Sequence, residues 1–297
     1  MNGAPNYFTG CPVWSCRDWI GTVFDRKTEP KDLLREYAKR FNAVEGNSIF
    51  YALPPLSTVE RWMAESRSGF RFCPKFPKAI SHDRRLVQAE SETEEFLKIL
   101  ETLQHGNRLG SSFLQLPPSF NAHNFDTLET FLKSLPKDFN YAVEPRHVTW
   151  YDKGDNERRL DELLGNLGID KVIFDSRPLF ASEAKDSDER DAQARKPQTP
   201  IRKIALSGNP FLRLVGSNKL DANEPWIKEW APIINKWSLE GKQPYVFLHC
   251  PNEAYAPYFA RQLHQQVRKI NPLFEAFPKF ASDSQEVPCE EEQLDLF

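Results

Sequence analysis

Eight short apolar runs, most of them separated by helix-like stretches, set the pattern of this sequence, and run after run ends in a polar side chain. The runs are Phe8–Trp14, the strand within Ala43–Tyr51, Phe70–Lys75, Ser112–Leu116, Tyr141–Val143, Lys171–Asp175, Phe211–Val215 and Tyr245–His249. Short apolar runs bounded by Gly, Pro or polar clusters read as strands. When helices alternate with them, the sheet is parallel and buried on both faces. The helix signals sit between the runs. Leu33, Leu34, Tyr37, Ala38 and Phe41 form one stripe after Pro30. Ser57-Thr-Val-Glu60 and Ser91-Glu-Thr-Glu94 read as capping boxes, and Asn124 as a cap before Phe125, Leu128, Leu132 and Leu135. Glu157–Leu167 is a charged helix stopped by Gly168. Trp226, Trp230 and Trp237 share one helical face, so they pack a core and do not form a stacking surface. This alternation predicts one α/β domain over residues 1–279, a (β/α)₈ TIM barrel.

At 297 residues the chain is somewhat longer than the ~250 usual for that fold. The surplus has a place. Ser182–Gly208 is polar and charged, without an apolar stripe, where a helix between the sixth and seventh strands is due. It is expected as a long loop on the barrel rim, either a lid or a surface insertion.

Bulk properties exclude other classes. No apolar run approaches the ~20 residues that span a bilayer, and Met1–Gly10 lacks the regions of a signal peptide. Cys11, Cys16, Cys73, Cys250 and Cys289 form no CxxC pair, which suits reduced thiols in a cytoplasmic protein. Net charge is −3, but Asp283, Glu286, Glu290, Glu291, Glu292 and Asp295 all fall in the last stretch. Without those six acids, 36 acids stand against 39 bases, leaving a body of about +3. That balance tolerates an anionic substrate without demanding nucleic acid.

The C-terminal ends of parallel strands are where sites are built. Glu144, Arg146 and His147 arrive together at one such end, and burying them is unfavourable unless they pair or act. The same rule collects residues from the other strands. Glu45, Lys75, Glu144, His147 and Asp175 are expected acid–base groups. Asn47, His82, Gln115, Arg146, Arg213 and His249 are expected to bind substrate. The alternative is that Glu144–Arg146 and Glu45–Arg213 are ion pairs bracing the barrel end. No GxGxxG, P-loop or GxSxG is present, so neither a nucleotide cofactor nor that form of serine catalysis is indicated. Glu45, Glu144, His147, Asp175 and His249 are ligand types for a divalent metal, although no HxH or HExxH spacing supports one.

Several longer motifs are specific. They are Val44-Glu-Gly-Asn47 with Tyr51-Ala-Leu-Pro54, Phe70-Arg-Phe-Cys-Pro-Lys-Phe-Pro77 with Ile80-Ser-His82, Gln115-Leu-Pro117, Ala142-Val-Glu-Pro-Arg-His147, Asp175-Ser-Arg177, and Arg213 with Gly216. Across residues 7–270 these pieces resemble the YecE-like proteins of domain-of-unknown-function family seventy-two. The chain departs from the family pattern at Gly46 and at Leu248-His249-Cys250. The resemblance implies a TIM barrel and brings no established activity.

The polar stretch Ser282–Glu292 is expected to be a disordered tether. Gln293, Leu294, Asp295, Leu296 and Phe297 after it resemble the peptide by which bacterial proteins bind the DNA sliding clamp. Leu294, Leu296 and Phe297 would be apolar anchors, and Gln293 a directional hydrogen-bonding group. The functional expectation is an acid–base, hydrolase-type enzyme acting on an anionic substrate, phosphate- or nucleic-acid-linked, and recruited to DNA by the clamp. The alternatives are a non-catalytic clamp-associated ligand-binding module and a metabolic sugar-phosphate enzyme.

Overall fold

The computed structural model describes residues 7–181 and 183–284. The strands are β1 (Phe8–Gly10), β2 (Ala43–Gly46), β3 (Arg71–Pro74), β4 (Ser112–Gln115), β5 (Tyr141–Glu144), β6 (Asp170–Lys171), β7 (Ile173–Asp175), β8 (Phe211–Val215) and β9 (Tyr245–His249). The α-helices are α1 (Leu33–Arg40), α2 (Leu56–Glu65), α3 (Glu90–His105), α4 (Phe125–Ser134), α5 (Asp155–Asn166), α6 (Arg177–Phe180), α7 (Ser187–Arg195), α8 (Glu224–Leu239) and α9 (Ala256–Ile270). All strand pairing is parallel, in sheets ordered β1-β9-β8-β7, β2-β3 and β4-β5-β6. The expected sixth strand is split into β6 and β7. At the break, the Val172 N–H donates to the Val143 carbonyl at 2.8 Å.

Fewer, specific bonds link neighbouring sheets. Between β1 and β2, the Cys11 N–H donates to the Tyr37 hydroxyl at 2.7 Å, and that hydroxyl donates to the Ala43 carbonyl at 2.9 Å. Asn42 completes this seam, accepting from the Thr9 N–H at 2.7 Å and donating to the Tyr7 carbonyl at 2.9 Å. Between β3 and β4, single parallel bridges join Phe72 to Leu109 and Lys75 to Phe113.

Strand side chains alternate with a period of two. One set packs strand against strand: Phe8, Ala43, Cys73, Phe113, Ala142, Val172, Phe211, Tyr245 and Phe247 form one buried cluster. The other set, such as Val44, Phe72, Leu114, Val143, Ile173, Leu212 and Val246, belongs to the larger core with the helix stripes. The buried tryptophans Trp230 and Trp237 of α8 are part of that core, as their spacing predicted.

The helices form where the apolar stripes indicated, but three caps differ. α2 starts at Leu56 after Pro55, and α3 starts at Glu90 after Ala89, neither with a side-chain cap. Ser57 and Ser91 therefore lie inside the first turn. Asn124 is the N-cap of α4 without a side-chain cap bond, because its side chain completes the capping box of Asn121, which opens the short 3₁₀ turn before the helix. The 182–208 segment is also not a plain loop, since it contains α7. That helix lacks an apolar stripe because polar bonds hold it. Asp186 caps it, and buried Glu189 accepts from Ser217 Oγ at 2.6 Å and from the Asn218 N–H at 2.9 Å. Among the described residues no helix is long and apolar enough to cross a membrane. Cys11, Cys16, Cys73 and Cys250 are free thiols.

Gly10 is required at the β1–β2 seam, since a Cβ there would lie 1.9 Å from the Ala43 carbonyl oxygen and 2.6 Å from the Tyr37 hydroxyl. Gly10→Ala is expected to destabilise the fold by about 1–3 kcal/mol or more, read as a lower urea midpoint. An unchanged midpoint would show that the seam is looser than described.

Candidate functional site

Two positions beyond the apolar cluster, the same inward face turns polar at Glu45, Lys75, Gln115, Glu144, Arg213 and His249, while Phe174 keeps it apolar on β7. Arg213 on β8 is the hub. Its Nε and Nη2 donate to Glu45 Oε1 and Oε2 at 2.7 and 3.0 Å, and its Nη1 donates to Glu144 Oε2 at 2.7 Å. Glu45 also accepts from Asn47 Nδ2 at 2.8 Å and lies 3.1 Å from His249 Nε2. Glu144 Oε1 accepts from Gln115 Nε2 at 2.7 Å and from Arg146 Nε. Gln115 Oε1 in turn accepts from Lys75 Nζ at 2.9 Å. One network thus links β2, β4, β5, β8, β9 and the residue after β3. Aromatic faces pack on it. Lys75 Nζ is 3.8 Å from the Phe50 ring centre, and the Arg146 guanidinium is 4.3 Å from that of Phe174.

Burial sets the protonation states, and the neighbours then correct it. Burial alone would raise the carboxyl of Glu144, but Arg146 and Arg213 outweigh it and hold it at about 2. Glu45 is likewise held well below the usual range, by Arg213 and His249 acting against burial. Burial, and then the Arg213 charge, lowers Lys75 to about 7. Burial also lowers His249, so the imidazole is neutral at pH 7 and can donate its N–H to Glu45.

The network floors a cavity of about 500 Å³, a volume suited to a small ligand. Lys75, Gln115, Arg146, Arg213 and His249 line it from the strand ends. Asp188, Asp191, Arg195 and Lys196 line it from α7 and the residue after it, so the insertion roofs the site. Glu253, just after β9, completes the wall. Its Oε2 is buried without a hydrogen-bond partner, and burial pushes the carboxyl up to about 8. Burial, then the Arg213 and Arg146 charges, lowers Lys196.

Glu45, Asn47, Lys75, Gln115, Glu144, Arg146, Arg213 and His249 are therefore brought together as expected. Three predicted residues are not. Asp175 points away from the buried face that carries Arg213. It forms a bidentate pair with Arg177 (2.9 and 2.7 Å) and accepts from Trp230 Nε1 at 2.8 Å, while Phe174 takes the inward place. His147 lies in a separate concavity with Asn121, His123 and Arg159, where its Nδ1 accepts from the Thr149 N–H at 3.2 Å. It is a turn cap because the chain leaves the strand direction at Pro145. His82 bonds Ser81 Oγ at 2.8 Å and packs edge-on against Phe50 at 5.1 Å, behind the cavity wall. Burial, and then Lys75, lowers its pKa to about 4.

Lys196 and Glu253 are the residues the sequence reading missed. Glu253 follows the last strand and could have been collected by the strand-end rule. Lys196 lies in a segment with no periodic signal. Among the described residues no group of three or more His, Cys, Asp or Glu is placed to hold a metal ion. Of the five expected ligand types, Glu45, Glu144 and His249 are engaged in the Arg213 network, and Asp175 and His147 lie outside the cavity. A further concavity of about 350 Å³ at the other strand ends is less suited to chemistry. Its Asn42 and Arg67 are bonded to backbone carbonyls, and its Tyr7 to His264.

The geometry defines a parallel α/β protein with a roofed, charged cavity at the strand C-termini. Residues 8–281 match the family model described as "Protein of unknown function DUF72". The UPF0759 protein YecE of Escherichia coli (strain K12) is 36% identical over 277 residues, covering 93% of this chain and 98% of that protein. The chain belongs to the DUF72 family. Its fold resembles a DUF72 family protein of Enterococcus faecalis V583 with a TM-score of 0.66 at 17% identity, covering 92% of this chain and 98% of that one. A DUF72 family protein of Thermotoga maritima MSB8 gives 0.63 at 21% identity, covering 89% and 98%.

Arg213→Met would leave buried Glu45 without a guanidinium and Glu144 with Arg146 as its one remaining ion-pair partner, and a stability loss of about 3–5 kcal/mol is expected in urea denaturation. A loss below about 1 kcal/mol would contradict the hub role. The acid limb provides a second reading. Glu144's folded pKa lies below its ordinary value, so its stabilising contribution is complete above about 4.5 and is lost as pH falls toward about 2. That loss on acidification should shrink in the variant.

Proposed function

We propose that this chain is an acid–base enzyme acting on a small anionic substrate in the roofed cavity, on an eight-stranded (β/α)₈ barrel. The barrel reading is supported by the interior cluster, which draws on every strand run, and by the parallel neighbours and seam bonds running in one ring order. One observation carries the enzymatic reading. The same cavity holds a lysine at about 7 and a carboxyl at about 8, a base and an acid both poised near neutrality. An anion is favoured because Glu45 and Glu144 are already bonded to Arg213, whereas Arg146 Nη and Lys196 Nζ have no hydrogen-bond partner among the described residues. The volume suits a metabolite-sized molecule better than a nucleic-acid duplex. The free thiols suit a reducing compartment, and we assign the chain to the cytoplasm.

Inorganic phosphate and small carboxylates should raise the melting temperature at neutral pH. Arg146→Ala should weaken their binding by roughly 10–100-fold, the effect of one lost charge-assisted hydrogen bond. Equal binding by the variant would refute the anion site. Tight binding with no turnover of any phosphorylated or carboxylated compound would favour the non-catalytic module.

The peptide Gln293-Leu294-Asp295-Leu296-Phe297 lies outside the described residues, and its sequence alone supports assigning it to the sliding clamp. Titration of purified clamp should give a micromolar Kd, about −8 kcal/mol. The double variant Leu296→Ala, Phe297→Ala should abolish it without changing the melting temperature. Identical titrations for both proteins would dismiss the clamp.

A further inference from the structure

We infer that Lys75 is an imine-forming amine, whose Nζ condenses in the roofed cavity with the carbonyl carbon of a small substrate that also carries a phosphate or carboxylate. This rests on the cavity being the anion-binding acid–base site proposed above, and it names the substrate class.

The geometry begins with a contrast between two buried lysines, Lys75 at 8% and Lys171 at 4% exposure. Lys171 is held by carboxylates, Asp161 and Glu157. Among the described residues Lys75 has no carboxylate ion-pair partner. Its hydrogen bond goes to the neutral Gln115 Oε1 at 2.9 Å, and Phe50 covers it at 3.8 Å. The two carboxylates within the network are oriented on Arg213 instead. A structural ammonium would have been served by either of them. An amine that must lose its proton is served by burial and nearby cations, which here outweigh the cation–π contact with Phe50.

The groups facing Lys75 are Gln115 from β4, Glu144 and Arg146 from β5 and the turn after it, Arg213 from β8, Glu45 from β2, and His82 from the turn after β3. Burial, then Arg213, brings the amine to about 7, so about half of it is nucleophilic at neutral pH. Arg146 and Lys196, on the same cavity, are available to the anionic group.

The step balances without an outside oxidant or reductant. The Nζ lone pair forms an N–C bond to the carbonyl carbon as the carbonyl π bond opens, and the oxygen takes up a proton. The carbinolamine nitrogen gives up a proton. The hydroxyl is protonated and leaves as water while the nitrogen lone pair forms the C=N bond. Glu253, buried and protonated near neutrality, lines the cavity as the acid for that departure. The protonated imine is then an electron sink for breaking or deprotonating the adjacent carbon.

The test is reductive trapping. The full chain is incubated with sodium cyanoborohydride and, separately, pyruvate, glyoxylate, dihydroxyacetone phosphate and glyceraldehyde 3-phosphate. Adducts are located by intact mass and peptide mapping, and phosphate binding is measured in parallel. The expected result, with at least one probe, is a reduced adduct on Lys75 at least tenfold above any other lysine. Its yield should rise as pH passes about 7 and fall with added phosphate. Lys75→Met should lack it. The map of the unaltered chain decides by itself, so a variant that fails to fold leaves the test intact. Phosphate binding with Lys75 labelled no more than surface lysines overturns the imine and spares the anion site. No phosphate binding with uniform labelling overturns both.

Discussion

Glu45 and Glu144 are fully buried at the ends of strands that are not neighbours, and one guanidinium serves both. Removing three charges from water is strongly unfavourable, and it is tolerated only when every hydrogen-bonding position is met. Arg213 meets this with three of its nitrogens, in the planar geometry that lysine lacks. The consequence reaches beyond stability. Because both carboxylates are turned toward Arg213, Lys75 is left with an amide for a partner and Arg146 with an unpartnered edge. The cationic character of the cavity follows from where Arg213 sits.

The strand-end rule made much of this visible in the sequence. It collected Glu45, Lys75, Gln115, Glu144, Arg213 and His249 across two hundred positions, because parallel strands start and stop together. It failed for Asp175, since Val172-Ile-Phe174 is apolar on both faces and gives no sign of which residue turns inward. Val172 lies in the interior cluster, so alternation turns Phe174 inward and Asp175 outward. His147 was included for its chemistry, although Pro145 diverts the chain before it. α7 escaped notice because buried Glu189 and the Asp186 cap hold it, and neither produces an apolar period.

The roof and the floor differ in kind. The floor is a network of bonds between rigid strands, which fixes its geometry to within a narrow range. The roof rests on polar bonds of Asp186 and buried Glu189, a Ser176–Pro197 contact of 2.7 Å, and Ala192 packed with Leu179 and Val215.

The Arg213 network leaves a buried amine without a carboxylate partner at the cavity floor. The direct measurement is an NMR titration of Lys75 in protein labelled at lysine side-chain carbons, with the resonance assigned by its loss in Lys75→Met. A midpoint of about 7 is expected. A midpoint near the ordinary lysine value of ~10.4 would mean that Lys75 is solvated or paired, and would contradict it.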